Sequence, residues 1–436
     1  MYTTTDRDDI LAHRQALHQE AIRLDSQDPL ASFRDQFYIP RLLTEPNSEV
    51  DMTYLVGNSL GLQPKRAYNC VQHAMDSWAT LAVEGHFSGT HPYMTYHRLC
   101  AAGLGELVGA TEDEVVAMNG LTTNLHLMMA SFYKPVGTRT KILMEAGAFP
   151  SDQYAVETHL RWHGFDPADH IIEVSPEAGS RILTDEAILA AIAAAGDTLA
   201  LVLFSGVQYA TGQVFDMASI VKAGHAVGAY VGFDLAHAIG NIRLELNTWG
   251  ADFACWCTYK YLNSGPGGIA GVFVHNRHAD RKDLVRLGGW WGHNEAERFL
   301  MRKGFDPMPG AQGWQHSNAP IMLLATLRAS LSVVADAGWE NILTKKARMN
   351  AFMLQCLQQP GLERVTILTP QPAGCQFSLV VPGGKQVFHA LRAAGVLGDW
   401  REPDIIRLSP VPLYNTYQDI AKATTTLADV LESQLS

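Results

Sequence analysis

The sequence predicts an α/β fold: a large domain on a mixed, mostly parallel sheet, followed by a smaller α+β domain. Three observations carry this. Short apolar runs recur through the middle of the chain, at Lys141 to Met144, Leu199 to Phe204, Ala229 to Phe233, Phe253 to Cys257 and Gly271 to His275. Between the second and third of them Asp216 caps a helical pattern that runs through Ala226 and stops at Gly228, which makes a strand–helix–strand unit of the parallel-sheet type. From Ile321 onward the pattern changes to helix then strand, with Gln376 to Val381 as a strand.

The remaining elements follow in chain order. Residues 8–26 place Ile10, Leu11, Leu17, Ile22 and Leu24 near helical spacing. Pro29 and Pro40 break the chain after it. Met52 to Val56 reads as a short strand entering Gly57-Asn58-Ser59-Leu60-Gly61. Residues 66–83 and 95–108 read as helical. A further helix runs from Gly120 to Tyr133, with Leu121, Leu125, Met128 and Met129 on its apolar face. Pro307 to Pro320 is rich in Pro and Gly and reads as a hinge between domains. The expected organisation is an N-terminal helical segment over 1–50 that joins the small domain, a large domain over 51–310, and the small α+β domain over 311–436.

Composition narrows the function. At roughly 100–200 residues per domain, 436 residues make two or three domains. With 47% hydrophobic and 18% charged residues the chain is globular, not disordered. Its net charge of −11 comes without a basic cluster, so nucleic acid is not expected as a partner. No apolar run reaches the ~18 residues of a membrane span, and the polar, acidic N-terminus fits no signal or transit peptide. The six cysteines form no C-x-x-C, which fits reduced thiols in the cytoplasm.

Two motifs point to other chemistry. Gly57 to Gly61 matches G-x-S-x-G, which would make Ser59 a hydrolase nucleophile on a strand–turn–helix elbow. Pro64 falls where that helix should begin. His159 and His163 lie four apart on a helix, but His-Leu-Arg-Trp-His lacks the glutamate of H-E-x-x-H, so a solvated helix face is the reading.

The stronger constellation sits at strand ends. Asp234 follows the run Ala229 to Phe233, and His237 comes three residues later. Lys260 follows the next apolar run, between Tyr259 and Tyr261 and ahead of Gly265-Pro266-Gly267-Gly268. The carboxyl ends of parallel strands open onto a ligand crevice. A lysine and an aspartate there suit pyridoxal phosphate: the lysine forms a Schiff base and the carboxylate keeps the pyridine nitrogen protonated. Asn119-Gly120-Leu121-Thr122 opens a helix whose first N–H groups suit the phosphate. Phe149 is a candidate to stack on the ring.

With these residues in place, the chain closely resembles the kynureninases, pyridoxal-phosphate-dependent hydrolases of the aminotransferase-like fold type I. The motifs run nearly end to end and in order. They include Gly57 to Leu62, Glu84-Gly85-His86, Phe149-Pro150-Ser151-Asp152, Gly289-Trp290-Trp291-Gly292-His293, Ser317-Asn318 and Arg407 to Asn415. The resemblance implies that Lys260 bonds the cofactor aldehyde and acts as base, while Asp234 pairs with the ring nitrogen and His237 lies beside it. Leu121 and Thr122 would meet the phosphate. Phe149, Pro150, Ser151, Asp152 and Ser205 would line the cofactor. Tyr259 would contact the phosphate and relay protons.

Trp290 and Asn318 would come from a partner subunit, which implies a homodimer with shared sites. Arg407 would grip the substrate α-carboxylate, with His86, Asn318 and Ser59 also at the substrate. The implied reaction is cleavage of L-kynurenine with water to anthranilate and L-alanine, in cytoplasmic tryptophan degradation and pyridine nucleotide biosynthesis. 3-Hydroxykynurenine stays open as the preferred substrate, with 3-hydroxyanthranilate as its product. Other fold type I activities stay open too: an aminotransferase, a desulfurase using Cys375, or a regulator that binds without catalysis. The serine hydrolase on Ser59 is the remaining alternative.

Overall fold

The computed structural model describes residues 4–45 and 48–435. Residues 1–3, the first of the polar N-terminus, lie outside the described residues. The chain forms two compact units. One comprises Met1–Lys65, Ala210–Gln213 and Val333–Ser436, and the other Arg66–Tyr209 and Val214–Ser332.

The larger unit is built on seven strands: β1 (Val115–Ala117), β2 (Lys141–Glu145), β3 (Ile171–Val174), β4 (Leu199–Ser205), β5 (Tyr230–Asp234), β6 (Phe253–Trp256) and β7 (Gly271–Val274). Their spatial order is β1-β7-β6-β5-β4-β2-β3. β7 runs antiparallel to both its neighbours, while β6, β5, β4, β2 and β3 are mutually parallel. The sheet is therefore mixed and mostly parallel. β4 is buried at every position but its last, and β6 and β7 throughout. Strands covered on both faces read as continuous apolar runs, which makes them legible in the sequence. Full burial of each such Val, Leu or Phe contributes about 1.5–3 kcal/mol.

Three helices pack around this sheet near its functional edge: α1 (Leu121–Phe132), α2 (Pro150–Trp162) and α3 (Met217–Ala226). Asp216 caps α3 by accepting from the Ser219 N–H at 3.1 Å. Met128, Met129 and Phe132 of α1 and Val156 and Leu160 of α2 join the core with Leu201, Phe253 and Val272 of the sheet. Parallel strands bring their carboxyl ends to one edge. Ser205 pairs in register with Asp234, and Asp234 with Cys255.

The opposite edge is tied by one buried carboxylate. Asp252, just before β6, accepts from the Val231 N–H at 2.7 Å and meets His225 Nε2 at 2.9 Å, His278 Nε2 at 2.8 Å and Arg277 Nη2 at 2.5 Å. Burial by itself would raise its pKa. The hydrogen bonds of His225 and His278 and the Arg277 guanidinium outweigh burial and hold the carboxyl well below the usual range.

The smaller unit carries a four-stranded antiparallel sheet of β8 (Thr366–Ile367), β9 (Phe377–Val380), β10 (Asp399–Arg401) and β11 (Ile405–Leu408), in the order β8-β9-β11-β10. Phe377, Leu379, Ile406 and Leu408 pack with Met353, Leu357, Ile420 and Leu427 from helices Trp339–Leu357 and Tyr417–Leu435. Leu17 and Ala21 of the N-terminal helix Thr4–Ser26 join the same core.

Two expectations change here. The stretch 307–320 is no hinge between the units: Ala311 and Trp314 are buried in the core of the larger unit, whose last residue is Ser332. His159 is not on a solvated face: it is 2% exposed and its ring meets Tyr133 edge-on at 5.5 Å. Burial lowers its pKa to about 4, so it packs as a neutral ring.

Asp252→Asn should destabilise the protein by about 3 kcal/mol at neutral pH, because it takes the counter-charge from the Arg277 guanidinium and breaks the buried hydrogen bonds around it. The depressed carboxyl contributes stability that is complete above its unfolded pKa of ~4 and is lost as pH falls through the folded value. Urea unfolding from pH 7 downward should show the gap between wild type and variant closing. Equal stability at pH 7 would contradict the assignment.

Candidate active site

A cavity of about 250 Å³ opens at the carboxyl edge of the large sheet, lined entirely by residues of the larger unit. Glu145 ends β2, Ser205 ends β4 and Asp234 ends β5; His237, Tyr259 and Lys260 follow β5 and β6. Lys260 Nζ lies 2.9 Å from His237 Nε2. Asp234 accepts from the Ala236 N–H at 2.7 Å, and Ser205 Oγ donates to Glu145 at 2.7 Å.

The far wall is the start of α1. Gly120 precedes it without a side chain to cap the first N–H groups. Asn119 stands in the left-handed region at φ 49°. Its Nδ2 donates to Asn124 at 3.0 Å, and Asn124 donates to the Met118 carbonyl at 2.9 Å, which holds the turn in shape. Asparagine accepts that backbone because its short amide bonds locally. Leu121, Thr122 and Thr123 line the cavity at the positive end of the helix dipole. Thr122 Oγ1 meets Ser151 Oγ of α2 at 2.5 Å.

Phe149 caps α2, ahead of Pro150 at its first position, and remains 43% exposed. It touches Tyr209 edge-on at 5.2 Å, and Lys260 Nζ lies 5.9 Å from its ring centre. An aromatic face left open over a polar cavity suits a stacked ring.

Three carboxyls share this edge with one ammonium. Burial pushes Glu145 up to about 8; its bond from Ser205 opposes this and the nearby Asp234 adds to it. Asp152 is raised by burial and then by Asp234 and Glu145, against Lys260. Asp234 is also raised by burial, opposed by the Ala236 N–H and by Lys260. Glu145 Oε2 and Asp152 Oδ1 are buried with no hydrogen-bond partner among the described residues. The cavity is thus rich in acceptors at the strand ends and in donors at α1. A protonated pyridine nitrogen at the first and a phosphate at the second match this polarity, so the residues fit pyridoxal phosphate. Burial, and then the Cys257 thiol, push the Tyr259 phenol upward, so it keeps its proton at neutral pH.

The cavity gathers Leu121, Thr122, Phe149, Ser151, Asp152, Ser205, Asp234, His237, Tyr259 and Lys260 of the expected set. Trp290 and Asn318 lie elsewhere in the unit. Trp290 borders a second cavity with His293 and Phe305, its Nε1 donating to the Arg298 carbonyl at 3.1 Å. Asn318 borders a third with Asn119 and His316. His86 meets Tyr93 edge-on at 5.5 Å, and its buried Nδ1 has no partner among the described residues.

Arg407 and Ser59 belong to the smaller unit. Arg407 is fully buried on β11 and clasps Asp399 with two nitrogens, Nε at 2.5 Å. Ser59 sits in a turn closed by its N–H on the Val56 carbonyl at 2.9 Å, and the next helix after it begins only at Arg66, so the elbow is not built. Cys375 is buried and its thiol pushed up to about 12, unlike the mobile, reactive thiol a desulfurase needs.

Glu145 and Tyr209 line the cavity without having been singled out in the sequence. Glu145 has a readable signal: Lys-Ile-Leu-Met-Glu ends an apolar run on an acid, as Tyr-Val-Gly-Phe-Asp does at Asp234. Tyr209 lies in a loop without periodicity and has none.

Comparisons with known proteins agree with this geometry. Cystine C–S lyase C-DES, solved with its product cysteine persulfide, superposes with a TM-score of 0.72 at 18% identity, covering 87% of this chain and 97% of its own. Cysteine desulfurase CsdA from Escherichia coli gives 0.71 at 17%, covering 93% and 98%. These establish the fold. A family model described as the kynureninase C-terminal domain matches residues 342–427. The kynureninase of Xanthomonas euvesicatoria pv. vesicatoria is 52% identical over 407 residues, covering 92% of this chain and 95% of the relative. That of Stenotrophomonas maltophilia is 52% identical over 408 residues with the same coverage. Identity at that level along nearly the whole length of both chains places this chain in the kynureninase family.

Proposed function

We propose that this chain hydrolyses L-kynurenine to anthranilate and L-alanine with pyridoxal phosphate in the cavity of the larger unit. The observation that carries the reading is Lys260. Its amine lies against His237 in a cavity that pairs an acidic strand edge with an open helix start, and kynureninase-type motifs run along the chain on both sides of it. Bound there, the cofactor supplies an electron-accepting ring conjugated to the substrate's amino nitrogen.

The chain's own residues do the rest. Asp234 keeps the ring nitrogen protonated, assisted by Asp152. Backbone N–H groups at the start of α1, with Thr122 and Ser151, hold the phosphate. Phe149, Pro150 and Ser205 shape the ring's walls. Lys260 Nζ first holds the cofactor aldehyde and, once released, takes the substrate Cα proton, with His237 fixing its direction. The Tyr259 phenol, kept protonated, moves protons at the γ-oxygen and Cβ as water adds to the γ-carbonyl and the Cβ–Cγ bond breaks. Arg407 receives the α-carboxylate, where a planar fork serves better than an ammonium. His86, Asn318 and Ser59 face the rest of the substrate. The working form is a cytoplasmic homodimer in which Trp290 and Asn318 serve the partner's site. The reaction belongs to tryptophan degradation and pyridine nucleotide biosynthesis.

Purified protein should absorb in the visible when loaded with pyridoxal phosphate and should release fluorescent anthranilate from L-kynurenine. Lys260→Ala should abolish both signals, and retained colour with turnover would refute the assignment.

Arg407→Lys should raise KM for L-kynurenine at least tenfold, about 1.4 kcal/mol, with cofactor absorbance intact. Equal loss of substrate and cofactor affinity would point instead to damage at the buried Asp399 pair. Ser59→Ala should leave turnover within a few fold of wild type. A collapse in turnover with KM unchanged would give Ser59 a part in the reaction itself.

A further inference from the structure

One buried acid in the cavity has no task in the proposed reaction. Glu145 ends β2, is 2% exposed, and accepts from Ser205 Oγ at 2.7 Å through one oxygen. Its other oxygen, Oε2, is buried without a partner among the described residues, in a side chain that lines the cavity. Ser205 in turn stands in register with Asp234, so Glu145, Ser205 and Asp234 occupy three neighbouring strand ends. The groups that share the cavity with Glu145 are Asp234 after β5, Asp152 on α2, and Lys260, His237 and Tyr259 on the loops beyond β5 and β6. Two of these are acids, and Lys260 is the one lysine or arginine among them. An ionised Glu145 would set a buried charge beside Asp152 and Asp234, with Lys260 the one lysine or arginine lining the cavity to offset it.

We propose that Glu145 is a positioning residue: an uncharged carboxylic acid at the strand edge that anchors Ser205 and leaves the negative charge there to Asp234. This rests on the proposed function, because it assigns Asp234 to the cofactor's ring nitrogen. The elevated pKa of about 8 agrees with the geometry. The neutral acid presents an O–H from Oε2 and a carbonyl-like Oε1 to the Ser205 hydroxyl. Its deprotonation in alkali sets a second full charge beside Asp234.

The sign of the pH effect is fixed by the direction of that shift. A carboxyl whose folded pKa is raised contributes stability that is whole below its unfolded value of ~4.5 and disappears as pH climbs through the folded value. The full-length protein, stripped of cofactor, should therefore lose thermal stability between pH 6 and 9. Glu145→Gln keeps the shape and cannot ionise, so it should lose much less over the same range. Loaded with pyridoxal phosphate at pH 7, Glu145→Gln should bind it within about threefold of wild type. Ser205→Ala, which removes the anchored hydroxyl, should weaken binding more than Glu145→Gln does.

Two results overturn the proposal. One is a Glu145→Gln stability profile that parallels wild type from pH 6 to 9. The other is a loss of cofactor affinity beyond tenfold in that variant at pH 7, since the site would then use a charged Glu145. The stability arm uses no cofactor, so it reports on Glu145 even if wild type fails to take up pyridoxal phosphate, a failure that would count against the proposed function alone.

Discussion

The site depends on an imbalance of charge in a place with little water. Parallel strands deliver their carboxyl ends to one edge, and here three of the residues gathered at that edge are acids: Glu145, Asp152 and Asp234. Lys260 is the one lysine or arginine lining the cavity with them. Burial raises all three acids, and their proximity raises Asp152 further. Such an edge stabilises a protonated base placed against it, while the open start of α1 stabilises an anion across the cavity. A zwitterionic cofactor answers both ends at once. Neither end alone would be specific, because acids at strand ends and glycine before a helix are each common.

How much of this is legible in the sequence depends on the kind of signal. Asp234 and Lys260 can be read because each comes after an apolar run, and a polar residue that ends a buried strand must emerge at the sheet edge. Glu145 obeys the same rule, but its apolar run is only Ile142 to Met144, shorter than the run before Asp234, so its signal is weaker. Tyr209 and the exposed face of Phe149 depend on loop conformation, which leaves no periodic trace. The Pro- and Gly-rich stretch before Ile321 misleads for a related reason. Composition reports turn-forming tendency and says nothing of burial, yet Ala311 and Trp314 lie in the core. His159 shows the limit for polar residues on helices. Spacing puts it beside His163, and Tyr133 meets both rings edge-on, yet only His159 is buried, a difference that spacing does not carry.

The fold is shared with a cystine lyase and a cysteine desulfurase, as their superposition makes plain. The fold therefore does not choose the reaction. What separates this chain from sulfur chemistry is the state of its side groups. Thiolate is the reactive form of cysteine, and a thiol raised to about 12 inside a packed core offers almost none at neutral pH. Burial also raises Cys255 and brings Cys257 to about 11, although the two flank the cavity's own strand end. With those buried thiols silenced, the acid–base groups left around Lys260 are an imidazole, a phenol that keeps its proton and the buried acids. These are groups for moving protons, which is what breaking a carbon–carbon bond with water requires.

The same reasoning bears on Arg407. A guanidinium with no exposure would be costly to bury alone, and Asp399 clasps it from the neighbouring strand. The pair holds the fork in a fixed plane before any ligand arrives. On the proposed reading that pre-set plane is what a carboxylate meets, so less side-chain freedom is lost on binding than an exposed arginine would lose. A substrate carboxylate then has to share the fork with Asp399 or displace it. On the proposed reading, an amino acid gains the fork's contacts through its carboxylate, whereas a simple amine leaves the Asp399 pair undisturbed and gains nothing from it.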